Sequence, residues 1–143
     1  KYMYYIPSTL YGPTFDTNDK HFIYDLIRKI SAAKFEQDEP VVLWGDGHQT
    51  RDLLYINDAV DIVSSEFESR ENEIINLCSG KSYSIRRYAE IICDCVDYDF
   101  NKIEFDTTKF VGAVNKCLVG TSQYKFTSVY TGIKRTIDYY LER

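Results

Sequence analysis

The sequence predicts an α/β domain. Short β-rich runs alternate along its 143 residues with stretches of helical period. Turn residues mark each change, and the strands are too few for a complete doubly wound sheet. That shortage predicts a portion of a larger α/β protein.

In chain order, Lys1 to Ile6 reads as an aromatic-rich strand that ends at Pro7. It opens without an earlier element to pair with, and the chain starts at Lys1 rather than Met, the pattern of an internal start. Ser8 to Pro13 carries turn chemistry, and a polar loop then reaches a plausible helix cap at Asn18-Asp19. Phe22, Ile23, Leu26, Ile27, Ile30 and Ala33 fall on one helical stripe, while Arg28, Lys29 and Lys34 lie elsewhere on the wheel. Val41 to Trp44 is a short strand. Gly45-Asp46-Gly47 predicts a hairpin turn into the next strand, Leu53 to Ile56.

A second helix is expected from Asn57 or Asp58 to about Phe67, with Val60, Val63 and Phe67 inward and Asp58 capping its positive end. Ile74 to Leu77 is a strand. Ser84 caps a third helix whose buried face is Ile85, Tyr88, Ile92 and Val96. Ile103 to Phe105 is a further strand, and a last helix occupies roughly Thr131 to Leu141.

Composition narrows the functional classes. A net charge of −5 gives no global attraction to nucleic acid or to anionic membranes, so any anion site must be a local cluster of Arg and Lys. No apolar run approaches the length of a membrane span and no cleavable signal pattern occurs, which leaves the cytoplasm as the expected compartment. Cys78, Cys93, Cys95 and Cys117 match neither a zinc knuckle nor a CxxC pair and read as reduced thiols. His48 has no second ligand at metal spacing, and Glu104 with Asp106 frames no evident acid/base pair, so no metal or carboxylate dyad is expected.

No GxGxxG or GxxGxxG turn occurs, so no cofactor-binding residue is expected in this chain. None of the 13 tyrosines has Lys four residues on in a plausible catalytic context. Hydride transfer by this polypeptide alone is therefore not expected.

Several ordered motifs carry a resemblance. Pro7-Ser8-Thr9-Leu10-Tyr11-Gly12-Pro13 is similar to a PTNxYGP turn, and Trp44 to Asp52, WGDGHQTRD, precedes a strand and then Asn57-Asp58 at a helix start. Together they resemble the C-terminal, substrate-binding portion of the extended short-chain dehydrogenase/reductases, the NAD(P)-dependent nucleotide-sugar epimerase/dehydratase family, and within it the GDP-L-fucose synthase branch. The resemblance spans nearly the whole chain. It implies one substrate-binding domain over residues 1–143, with strand 1–8 at the edge of a Rossmann sheet that this chain lacks.

The resemblance also implies roles. His21, at the start of the helix after the YGP loop, would be the general acid, for which the near-neutral pKa of an ordinary imidazole suits it. Arg51 and Lys116 would hold the diphosphate, Trp44 would wall the nucleotide or sugar pocket, and Lys29 would touch substrate. The whole enzyme would epimerise and reduce GDP-4-keto-6-deoxymannose with NADP bound by the N-terminal half, and its parent would be a homodimer. The sequence departs from the family pattern at Ile6 and Asn115, where Arg is common, at Thr9, where Asn is common, and at Val119, where Asp is frequent. Two other readings remain open: a UDP- or dTDP-sugar epimerase or dehydratase of the same superfamily, and a non-catalytic sugar-nucleotide binding module.

Overall fold

The computed structural model describes residues 1–13, 21–36, 40–120 and 123–142. It is an α/β domain. Strand β1 (Met3–Pro7) is followed by β2 (Thr9–Tyr11), α1 (Phe22–Phe35), β3 (Val42–Trp44), β4 (Thr50–Tyr55) and α2 (Ile56–Glu66). Then come β5 (Glu73–Leu77), β6 (Ser82–Ser84), α3 (Ile85–Val96), β7 (Glu104–Asp106) and α4 (Val129–Leu141).

The strands form three small sheets. Parallel β1 and β5 pair with Tyr4 opposite Ile74. β4 is central in the second sheet, parallel to β2, with Tyr11 opposite Tyr55, and antiparallel to β6, with Arg51 opposite Tyr83. β3 pairs parallel with β7. Lys1 to Ile6 thus has a partner within the chain, because the β-rich run Glu73–Leu77 returns alongside it after α2.

Helical period decides what α1 and α3 bury. Ile23, Leu26, Ile27 and Ile30 of α1 meet Tyr88, Ile91, Ile92 and Val96 of α3 in the main core, which Ile133 and Ile137 of α4 complete. Ser84 accepts from the Arg87 backbone N–H and caps α3, a contact worth about 1 kcal/mol. A second cluster of Leu54, Ala59, Ile62 and Leu77 joins α2 to β5 and β4.

Several expectations are corrected. β3 and β4 form no hairpin: β3 leaves to pair with β7, and the residues after Gly45-Asp46-Gly47 carry the chain into a different sheet. The inward face of α2 is Ala59, Ile62, Val63 and Glu66, whereas Val60 is 55% and Phe67 70% exposed. Glu66 takes an inward place because its carboxylate accepts from both Arg70 and the Tyr124 hydroxyl. Asp58 does not cap α2 with its side chain. It lies in the first turn and accepts instead from the backbone N–H (2.8 Å) and hydroxyl (2.7 Å) of Thr127, tying α2 to the approach to α4. The proposed cap at Asn18-Asp19 lies outside the described residues, and α1 begins after His21.

Gly132 lets α4 approach the second sheet, since a Cβ there would lie 2.1 Å from the Tyr11 hydroxyl and 3.1 Å from the Tyr55 ring. Gly132→Ala should therefore destabilise the fold by about 1–3 kcal/mol despite alanine's better helix propensity. Urea denaturation checks this, and Tyr11→Phe combined with Gly132→Ala should recover part of the loss.

Candidate functional site

Three of the residues singled out from sequence share one pocket. A cavity of ≈ 300 Å³ is lined by Lys29 on α1, Trp44 at the end of β3 and Arg51 on β4, with Asp25, Phe22, Gln49 and Val111 among its other walls. Trp44 is 59% exposed, so it is a wall residue and not a core one. The Gln49 side-chain amide donates to the Trp44 carbonyl at 3.2 Å, which fixes the backbone on either side of the glycine turn. Gly45 adopts φ +81°, and a Cβ there would lie 2.4 Å from Val111 Cγ1. The turn and the 111–113 segment can close around the pocket only with glycine at that position.

The Arg51 guanidinium is oriented by backbone carbonyls. Its Nη1 donates to Thr50 (2.7 Å) and Ala113 (2.9 Å), and Nη2 makes a long contact to Val111 at 3.5 Å. No Arg51–Asp52 ion pair forms among the described residues. Asp52, 1% exposed, accepts from the Leu118 backbone N–H at 2.8 Å. The Thr50 N–H donates to Val114 and its carbonyl accepts from Lys116 N–H, so residues 114–118 run beside β4. Lys116 thereby sits next to the Arg51 strand with an exposed side chain, although it does not line the pocket. Asn115 accepts from the Thr50 hydroxyl at 3.0 Å, a structural use of the position.

The charges in the pocket do not all have one sign. Lys29 pairs with Asp25 at 2.8 Å, and the same carboxylate holds Arg28. Asp25 escaped notice in the sequence, although its spacing four residues before Lys29 is the helix ion-pair pattern. Asp52 and the 111–113 segment were also missed, because neither the burial of one nor the course of the other has a local signature.

His21 stands apart from the pocket. It is the N-terminal flanking residue of α1, half-buried, its ring 5.0 Å from that of Phe22 and 6.5 Å from that of Tyr24. Phe22 lines the cavity, so His21 is one residue from its wall. Thr9 is half-buried on β2, and Ile6 is exposed on β1.

Other candidates find structural roles. Asp106 accepts from the backbone and hydroxyl of Thr108, bonds that hold its carboxyl below the ordinary range. His48 is exposed, and no group of three metal-ligating side chains occurs among the described residues. All four cysteines are free thiols, and burial pushes Cys93 up to about 12, a protonated and unreactive form. The Tyr-x-x-x-Lys spacing occurs at Tyr98–Lys102 and Tyr130–Lys134. Burial raises the Tyr98 pKa, and Lys134 is engaged by Asp138 at 3.0 Å.

Residues 1–78 match the NAD dependent epimerase/dehydratase family. The chain belongs to that family. It is 40% identical over 116 residues to a GDP-L-fucose synthase of Sinorhizobium fredii, covering 79% of this chain and 37% of that protein. It is also 30% identical over 145 residues to a GDP-L-colitose synthase of Yersinia pseudotuberculosis, covering 95% of this chain and 47% of the relative. A GDP-L-fucose synthetase structure from Naegleria fowleri superposes with a TM-score of 0.83 at 26% identity, over 96% of this chain and 45% of that one. The chain therefore spans less than half the length of these relatives. A Thermotoga maritima UDP-glucose 4-epimerase, at 20% identity and a TM-score of 0.83, shares the fold.

Asp52→Ala leaves the Leu118 N–H without its acceptor, a loss of about 1–3 kcal/mol for a buried group. Amide hydrogen exchange at Leu118 and Lys116 should accelerate by more than at the α1–α3 core.

Proposed function

We propose that this chain is the nucleotide-sugar-binding portion of a GDP-L-fucose synthase-like epimerase/reductase acting on GDP-4-keto-6-deoxymannose. The observation that carries the reading is the convergence of Lys29, Trp44 and Arg51 on one cavity. An indole face suits a base or sugar ring, and a guanidinium suits a diphosphate because its planar fork matches two oxygens at once. Lys116, whose backbone N–H bonds the Thr50 carbonyl next to Arg51, is assigned as a second cation for the same anion. His21 is assigned as the general acid, delivering a proton from its imidazole to the sugar carbanion during epimerisation.

The nicotinamide cofactor belongs outside this chain. The sequence holds no glycine-rich turn through which backbone could approach a pyrophosphate, so these residues do not fit a dinucleotide. The cofactor is assigned as NADP on an N-terminal Rossmann half, and this portion alone is expected to be inactive. β1 supports that division: Tyr2, Tyr4, Ile6 and Ile74 leave one face of the β1–β5 pair apolar and exposed, a surface for that half to cover. The parent is read as a cytoplasmic homodimer. No helix among the described residues is long and apolar enough to cross a membrane.

Two measurements test the assignment. In the enzyme joined to its N-terminal half, His21→Asn should abolish epimerisation and leave nucleotide binding intact; normal epimerisation by that variant would sink the role. Calorimetric titration should show GDP binding more tightly than UDP or dTDP. Arg51→Ala should weaken it by about tenfold or more, and Arg51→Lys should restore little because an ammonium cannot form the fork. Preference for UDP or dTDP would favour the sibling enzymes, and tight binding by a protein that lacks any cofactor half would favour a binding module.

A further inference from the structure

A second cavity, of ≈ 590 Å³, shares no lining residue with the Arg51 pocket. It lies at the carboxyl ends of the parallel strands β2 and β4, whose last residues, Tyr11 and Tyr55, form its floor with Leu53 and Tyr88. Crevices outside the carboxyl ends of parallel strands are where open α/β sheets bind ligands.

Its walls are aromatic and held in place. Tyr83 packs edge to face on the buried Tyr88 at 5.9 Å, and Tyr124 on Phe126 at 6.3 Å. The Tyr88 hydroxyl donates to the Arg51 carbonyl at 2.8 Å, and the Tyr124 hydroxyl is anchored on Glu66. Both rings are thus fixed before any ligand arrives, which lowers the ordering cost of binding.

Its rim is cationic. Lys81 and Lys125 are exposed at the cavity and form no ion pair among the described residues, while Arg87 is already held by Glu90 at 2.8 Å. The N-terminal end of α4, at Ser128 and Val129, presents the positive end of that helix to the same space. Asp58, the carboxylate on the lining, is occupied by two bonds from Thr127. In a chain of net charge −5, this leaves a locally positive mouth over an aromatic interior.

We infer that this cavity binds a small planar aromatic anion, its ring against the part-exposed rings of Tyr83, Tyr124 and Phe126 and its phosphate or carboxylate between Lys81 and Lys125. The inference is independent of the nucleotide-sugar reading, which uses other residues. The test is calorimetric titration of the 143-residue chain with 1-naphthyl phosphate. Saturable binding is expected, weakened about tenfold by the Lys81→Ala/Lys125→Ala double variant and unchanged by Arg51→Ala. Both lysines are surface residues, so the double variant should keep the fold. Absence of saturable binding would overturn the proposal, as would binding that Arg51→Ala abolishes and the lysine variant leaves intact. Equal affinity for cyclohexyl phosphate would overturn the requirement for an aromatic ring.

Discussion

Strand β4 is the constraint on which both cavities depend. Its first three residues pair with β6 and its last three with β2, and the two halves serve different cavities. Thr50 holds the 114–116 segment through its backbone and hydroxyl, Arg51 lines the first pocket, and buried Asp52 fixes Leu118. Leu53 to Tyr55 then form the floor of the second cavity. Side chains alternate faces along a strand, so a one-residue slip would exchange Arg51 for Asp52 and reverse the charge offered to the pocket. A slip would break the register with β6 and with β2 together, which makes it costly.

Electrostatic design at the first pocket is one of restraint. Two cations left facing each other in a cavity repel. Asp25 compensates Lys29 and Arg28 on α1, and backbone carbonyls of Thr50 and Ala113 receive Arg51 without neutralising it. Because those carbonyls and any bound anion share the same guanidinium, ligand affinity and the placement of residues 111–113 are linked. Arginine supports both tasks at once, having five donors where lysine has three on one nitrogen.

Local pattern made much of the fold legible. The stripe of α1, the Ser84 cap of α3 and the α/β alternation all follow from spacing and residue type, and the structure reproduces them. The failures arose where a neighbour outweighed the local pattern. Gly45-Asp46-Gly47 has hairpin chemistry, but β7 offers β3 a parallel partner. Val60 and Phe67 look like core residues, yet both are exposed, while Val63 packs inward and Glu66 takes an inward place with contacts from Arg70 and Tyr124. At the site, the family resemblance pointed to Trp44, Arg51 and Lys29, while nothing in the order of residues showed that Asp25 would join them or that His21 would lie beyond the wall.

The sequence by itself determined the fold class, the Ser84 start of α3, the family's ordered motifs and the absence of a dinucleotide turn, because each is written in neighbouring residues or short periods. Only the tertiary structure decided which strands pair, which face of α2 is buried, that Arg51 rests on carbonyls some 60 positions away, and that Tyr11, Tyr83 and Tyr124 enclose one cavity. Those outcomes depend on contacts between distant segments competing for the same partner, and no local spacing encodes the winner.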